Sequence, residues 1–383
     1  GTGSLPGNIF ARAVDHDPGF VLLVTTLLLL AIGIVMVYSA SEYVSRQTTR
    51  TKDNPEGYNY YVVRRQLVWV ALGLVVMWVG SKINYWHLSR LAKFGYLATV
   101  IMLIMVKIPG VGVTRYGATR WLGIEPFIFQ PSEIAKLTLA LFLARWFAAR
   151  GDKIKSFSQG VLPPLLFTGI ICGLVMLQPD LGTTIVIFSI AAVLIFVAGA
   201  QWKHIIGLGI AAVAGTFALI FVADYRVERL LSFRNPWLDP LDTGHQLIQS
   251  FYALGPGGLF GRGLAQSVQK RFYLPFPHTD FILAVIGEEL GFVGTATVAL
   301  LFAVFIWRGL KIALNAPDNF GVLLASALTA TVGLQAIINI AVVTGSIPTT
   351  GIPLPLISAG GSSLIFTLGA IGVLLNISKY SRE

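Results

Sequence analysis

The residues best placed to do chemistry sit where polar loops run into apolar stretches. The segment Tyr273-Leu274-Pro275-Phe276-Pro277-His278-Thr279-Asp280 leads straight into a long apolar run. Two prolines stiffen the approach and Thr279 has the side chain of a helix N-cap, which would put Asp280 in the first helical turn, where the dipole favours its charge. A carboxylate fixed at a membrane surface beside Arg271 and His278 can act as a general base, although capping alone accounts for Asp280 equally well. The dipole predicts a depressed pKa, so positioning would count for more than basicity. Glu288 and Glu289 follow about two turns deeper, and one of them is expected to face the interior and meet a polar partner.

Charges within apolar runs are expensive, each about 2–3 kcal/mol or more at mid-bilayer unless partnered. Glu133 and Lys136 stand at i and i+3 in Gln130-Pro131-Ser132-Glu133-Ile134-Ala135-Lys136, on one helical face and within pairing distance. Ser132 is expected to cap that helix, with Glu133 in its first turn. Two readings stay open: a buried pair that fixes helix register, or a lysine facing a cavity that holds an anionic headgroup. Gln178-Pro179-Asp180-Leu181-Gly182-Thr183 joins two apolar runs by a short turn, and Asp180 either caps the next helix or holds a polar network or cation there. Gly255-Pro256-Gly257-Gly258-Leu259-Phe260-Gly261-Arg262-Gly263 resembles a phosphate-cradling loop, since successive free N–H groups bind anions, but no Gly-Lys-Ser/Thr follows. Between Arg234-Asn235-Pro236-Trp237-Leu238-Asp239-Pro240 and those glycines, His245 to Leu254 fits an amphipathic interfacial helix. The stretch Gly345–Ser363 is too rich in Gly and Pro to be helical throughout. Such backbone at membrane depth must line a cavity or be covered by protein, which suggests a re-entrant loop, an external turn being the alternative. Gln335 and Asn339, at i and i+4, read as interhelical hydrogen-bonding groups.

The elements that must position these residues are membrane spans. Of 383 residues, 55% are hydrophobic and only 12% charged, and mean hydropathy is +0.74. Apolar runs recur at about 19–40, 66–81, 90–106, 132–148, 160–177, 184–200, 205–223, 281–306, 319–344 and 359–378. The expected fold is therefore an all-α polytopic membrane protein of about ten helices, forming one integral membrane domain over 1–383, with a long extracellular loop at 224–280 between helices 7 and 8. Nearly continuous runs such as Val21–Val37 and Ile185–Val197 exclude a β-barrel. Gly1–Ser4 reads as a cloning remnant, and no cleavable signal is apparent. The lone Cys172 allows no internal disulfide and no thiolate metal centre. Placing both termini in the cytoplasm leaves 13 short-loop Lys and Arg inside against 8 outside, which favours that orientation. Arg115, Arg120, Arg226, Arg229, Arg234, Arg262, Lys270 and Arg271 then lie outside against the insertion bias, as either an anionic ligand or the tolerance of a long loop for any charge would explain. With a net charge of +10, the basic balance suggests membrane lipid or an anionic substrate; no basic–aromatic run marks nucleic acid. No catalytic triad, nucleotide fingerprint or metal-ligand spacing is present.

Taken together in order along nearly the whole chain, these segments resemble the SEDS family of bacterial shape, elongation, division and sporulation proteins. The matching stretches are Tyr38-Ser39-Ala40-Ser41, Arg120-Trp121, Gln130–Lys136, Gln178–Gly182, Asn235–Pro240, Gln249-Ser250, Gly255–Gly263, His278–Phe281, Glu288–Gly291 and Pro353–Ser363. Arg234–Trp237 and Pro353–Ser358 look more like the FtsW and SpoVE branch than the RodA branch. The resemblance implies a peptidoglycan glycosyltransferase of the bacterial cytoplasmic membrane that polymerises lipid II at the outer leaflet in division or sporulation, alongside a class B penicillin-binding protein and other divisome proteins. By analogy, Asp280 would deprotonate the acceptor sugar's 4-hydroxyl while undecaprenyl pyrophosphate leaves. Arg120, Lys136 and, more weakly, Arg234 would bind the donor pyrophosphate, with His278, Glu133, Asp180 and Ser362 as further substrate-binding candidates. A divalent cation, Mg or Mn, could accompany the diphosphates. A lipid II flippase and a non-catalytic scaffold for the penicillin-binding protein are the competing readings. Two positions depart from the family: Phe276 stands where Glu is common, and Ala359 where Tyr is common.

Overall fold

A computed structural model describes residues 18–381 apart from 52, 53, 55, 116, 125, 126, 223 and 272, and apart from the side chains at 127, 152, 224 and 225. The description therefore does not extend to Gly1–Ser4. Its helices are α1 (Pro18–Thr48), α2 (Tyr61–Lys82), α3 (Tyr85–Met105), α4 (Pro131–Ala148), α5 (Leu162–Met176), α6 (Leu181–Val197), α7 (Trp202–Phe221), α8 (Asp224–Arg234), α9 (His245–Gly257), α10 (Ile282–Leu314), α11 (Asn319–Val343) and α12 (Gly361–Ser378). All but α8 and α9 coincide with the apolar runs. Among the described residues, eight helical segments are long and apolar enough to cross a bilayer on that ground alone; α6 is apolar but has 17 residues, and α4 carries Glu133, Lys136 and Arg145. The expected polytopic all-α fold of about ten spans is met.

The helices sort by how much of their surface is apolar yet uncovered. α11 is buried on most sides, against α10, α4, α6 and α12, and forms the axis of the bundle. α7 has no buried residue and exposes Ile206, Ile210 and Phe217, as a helix apolar all round does when lipid is its neighbour. α12 lies closely on α2. A Cβ at Gly372 would come within 2.3 Å of the Met77 carbonyl oxygen, so only glycine permits that approach.

Two features depart from expectation. A three-stranded antiparallel sheet joins α3 to α4: β1 (Gly112–Arg115), β2 (Ala118–Ile124) and β3 (Phe127–Phe129), in that order. Strands this short carry too little alternation to stand out in the sequence. The second is the glycine stretch, where Gly255–Gly257 belong to α9 and the rest docks on α10. At Gly291 (φ 67°) α10 breaks, and residues 258–263 supply the lost hydrogen bonds. Arg262 N–H and Gly263 N–H donate to the Glu288 and Glu289 carbonyls (2.9 Å each), while Phe292 and Val293 donate to Gly258 and Leu259 (2.8 and 3.1 Å). Gly261 N–H donates to Gly257, so the amides of 261–263 are spent within the protein, and the phosphate-cradle reading is corrected.

The loops fall on two faces. Arg120 bonds the 178–179 turn and Gln66 bonds residues 358–360, which gathers these loops on the Asp280 face. On the other, Lys379 Nζ reaches the Ser81 carbonyl (2.6 Å), Tyr85 donates to Asp318 (2.5 Å) and Arg145 donates to the Ser89 carbonyl.

Candidate active site

The turn that carries Asp280 is held by its backbone. The three consecutive carbonyls of His278, Thr279 and Asp280 accept hydrogen bonds from Ala359 N–H (2.8 Å), Ser358 Oγ (2.6 Å) and Asn339 Nδ2 (2.8 Å). Asn339 also donates to the Ile352 carbonyl, and Ser358 Oγ accepts from Leu354 N–H, each at 2.8 Å. These bonds bind the irregular segment before α12 to the turn before α10. They also satisfy backbone that no helix serves, and Leu354–Ser358 are buried. Asn339 is thus an interhelical bonding group, as is Gln335 below. Among the described residues nothing hydrogen-bonds to the Asp280 carboxylate itself, and Gly351 borders it, its Cβ position lying 3.6 Å from Oδ2.

The helix boundary differs from the expected one. Phe281 is the N-cap of α10, without a side-chain cap, and Thr279 Oγ1 donates instead to the Phe276 carbonyl at 3.2 Å. Asp280 therefore precedes the helix and does not gain from its first turn. Burial pushes its carboxyl up to about 6, helped by the Asp180 carboxylate and opposed by Arg229 and Arg120. The expected depression is reversed because desolvation outweighs the cations. Burial likewise lowers His278 to about 4, so the imidazole is neutral, and its Nδ1 meets no partner among the described residues.

Arg120, on β2, reaches the 178–180 turn with three nitrogens: Nε to the Gln178 carbonyl (2.8 Å), Nη2 to the Pro179 carbonyl (2.6 Å) and Nη1 to Asp180 Oδ2 (3.7 Å). Asp180 caps α6 by accepting from Thr183 N–H and Oγ1 (3.0 Å each) and takes a longer bond from Gln130 (3.3 Å). It serves both roles left open for it, cap and network. Ser132 does not cap α4; that helix begins two residues earlier than such a cap would set it, at Pro131, with Gln130 as N-cap.

Lys136 is spent internally. Its Nζ lies 2.9 Å from Glu133 and 2.6 Å from Gln335 Oε1 on α11, and both charged side chains are buried. The space beside them is about 10 Å³, enough for one water at most and far too small for a headgroup. Of the remaining candidates, Arg234 is exposed at the end of α8 and Ser362 is half-exposed in the first turn of α12; among the described residues no hydrogen bond or ion pair ties either to Asp280. Arg271 is exposed, and the cations acting on Asp280 are Arg120 and Arg229 instead. Sequence reading passed over Arg229 as one outer cation among eight, and missed Ser358, Gln66 and Gly351, whose roles arise from segments more than 70 residues apart. Among the described residues no three His, Cys, Asp or Glu side chains gather as a metal centre.

Glu288 and Glu289 both point inward, where one was expected to. Glu288 accepts from Ser267 Oγ (2.5 Å), Val268 and Gln269 N–H (3.0 and 3.2 Å) and Arg262 (3.3 Å). Glu289 pairs with Lys270 Nζ (2.8 Å), Ser39 Oγ (2.7 Å) and Ala265 N–H (2.9 Å). This clamp, buried except for the Arg262 side chain, fastens the loop to the kinked helix and gives Ser39 of the Tyr38–Ser41 stretch a structural task.

Residues 20–383 match the family described as "Cell cycle protein", FtsW/RodA/SpoVE. Stage V sporulation protein E of Bacillus subtilis (strain 168) is 45% identical over 96% of this chain and 98% of its own. A probable peptidoglycan glycosyltransferase FtsW of Geobacter sp. (strain M18) is 41% identical over 97% and 99%. A chain of a peptidoglycan synthase complex that coordinates polymerization and crosslinking superposes with a TM-score of 0.75 at 30% identity, covering 94% of this chain and 96% of that one. The rod shape determining protein RodA of Thermus thermophilus gives 0.67 at 29%, covering 94% and 97%. Ten apolar helices and this full-length similarity place the chain in the FtsW/RodA/SpoVE family.

Proposed function

We propose that the chain is a peptidoglycan glycosyltransferase that polymerises lipid II, with Asp280 as its base. One observation carries the reading: a carboxylate with no hydrogen-bond donor among the described residues, raised to about 6, in the field of Arg120 and Arg229. The names borne by its FtsW relatives and by the synthase-complex neighbour support the activity. Asp280 takes the proton of the acceptor sugar's 4-hydroxyl. The freed oxygen attacks C1 of the donor sugar, and the bond from C1 to the diphosphate breaks with its electron pair on undecaprenyl pyrophosphate. A carboxylate near 6 is still mostly ionised at neutral pH and is more basic than an ordinary one. Arg120 and Arg229 stabilise charge on the departing diphosphate, with Arg234 farther out. Asp180 holds Arg120, neutral His278 positions the turn, and Ser362 borders the acceptor. Glu133 and Lys136 fix α4 against α11 and do not touch substrate. A Mg or Mn ion would be held mainly by the diphosphates.

On this reading both termini are cytoplasmic and the Asp280 face looks outward, roofed by 224–280 and floored by 345–363 as a re-entrant loop. A class B penicillin-binding protein and other divisome proteins are the working partners, in division or sporulation. A flippase needs a polar path through the bundle, and the deeper polar group, Glu133–Lys136–Gln335, is closed to anything beyond one water. Purified protein with its partner is expected to convert fluorescent lipid II into glycan chains, and Asp280→Ala to stop this. Full polymerisation by Asp280→Ala removes the proposed base and leaves the scaffold reading standing.

A further inference from the structure

Arg308 is a buried cation that the fold leaves without a counter-charge. It lies on α10 six residues before Leu314, far from Asp280, and is 4% exposed. Among the described residues its Nε and Nη1 meet no hydrogen-bond acceptor and no ion pair reaches it. On the neighbouring α11, buried Thr329 also has an unpartnered Oγ1; it presses on Gly309, whose Cβ position lies 2.3 Å from that oxygen. The guanidinium carbon sits 4.4 Å from the centre of the Trp307 ring, and that ring is 57% exposed on the outside of the bundle. Asp318, the acid at the start of α11, is engaged elsewhere: it caps that helix and accepts from Tyr85 and Trp86. A buried, uncompensated charge is strongly unfavourable, and an ionisable group inside a span marks a functional site with a partner to be named.

Depth names the partner. Arg308 lies beyond the break at Gly291, six residues or about 9 Å at 1.5 Å per residue before α10 ends at Leu314, whereas Asp280 precedes the helix at its other end. With a hydrocarbon core about 30 Å thick, that places the guanidinium toward headgroup level in the leaflet opposite Asp280. An exposed Trp at that level is an interfacial residue, and Lys311 stands one turn nearer water. We infer that Arg308 and Thr329, edged by Trp307, form a site for the phosphate of an anionic phospholipid in that leaflet. Guanidinium N–H groups and the Thr329 hydroxyl donate to phosphate oxygens, Lys311 attracts the net charge, and Trp307 lies against the glycerol and upper acyl chains.

Native mass spectrometry of the full chain in detergent, with phosphatidylglycerol or diacylglycerol of the same acyl chains added, tests this. The unaltered chain should retain one phosphatidylglycerol and no diacylglycerol. Arg308→Gln should weaken retention about tenfold or more, Arg308→Lys less, and Thr329→Val about threefold. Should Arg308→Gln not fold, the lysine and valine variants decide: retention at the unaltered level in both overturns the site. Equal retention of diacylglycerol, or no effect of Arg308→Gln in a folded variant, also overturns it. Millimolar inorganic phosphate that displaces the lipid and gives the same thermal protection would assign a free-anion site instead. An Asp15→Asn/Asp17→Asn variant that loses as much thermal stability as Arg308→Gln, without lipid retention by the unaltered chain, would assign the counter-charge to those side chains and overturn the lipid site.

Discussion

Asp280 and the Glu288–Glu289 pair stand about two helical turns apart on one chain segment, yet their surroundings differ in all that governs a carboxylate. Glu288 and Glu289 are wholly buried and spend their oxygens on Lys270, Arg262, Ser39, Ser267 and backbone amides. Asp280 has its backbone carbonyl tied and its carboxylate untied, facing Arg120, Arg229 and Asp180. Saturated hydrogen bonding makes the deeper pair a clamp that shapes the loop; its absence, with burial, makes Asp280 a group that can accept a proton. Glu133–Lys136 sits with the clamp, being paired and closed.

The largest effect expected is on Asp280. Asp280→Ala or Asp280→Asn should lower polymerisation of lipid II by about 10²–10⁴, the range for a general base. Stability should move the other way. Folding raises this carboxyl from 3.8 to about 6, so its charging disfavours the folded state; that cost is absent below about pH 4 and complete above about pH 6. At neutral pH the thermal midpoint of Asp280→Asn should therefore equal or exceed that of the unaltered chain. Glu289→Ala should show the reverse pattern. It strands buried Lys270, costing about 3–5 kcal/mol, seen as a lowered midpoint in thermal unfolding. A stable Glu289→Ala protein alongside an unstable Asp280→Asn one would collapse the contrast.

Arg120→Ala should cost roughly 10²–10³ in kcat, with Arg120→Lys partly restoring it, since a leaving-group cation acts mainly in the transition state. A rise in KM alone would make Arg120 merely a brace for the 178–180 turn. The smallest effect is graded: kcat/KM should fall about tenfold per pH unit below about pH 6 as Asp280 protonates. A limb centred near 4 would mean that the cations, and not burial, govern the carboxylate.

Much of this was legible in advance where one residue and its immediate neighbours decide. Asp180 caps α6 as its place at a turn implied, the i, i+3 pair of Glu133 and Lys136 forms, and His245 onward is helical. Judgement failed where a distant segment intervenes. The glycines of 255–263 look free in sequence, but the break at Gly291 offers them carbonyls. The sign of the Asp280 shift came out reversed because the helix starts two residues later than capping chemistry suggested, with Phe281 and not Thr279 as its N-cap, and because burial is a property of the assembled loops.

The sequence by itself determined the ten apolar helices, the polar stretches between them and the identity of the outlying carboxylate, because hydropathy and charge act residue by residue along the chain. Tertiary structure alone decided which cations face Asp280, that Lys136 is spent on Glu133 and Gln335, and that Arg308 is left over. Pairing is a competition among groups brought together from remote parts of the chain, and only their final distances settle it.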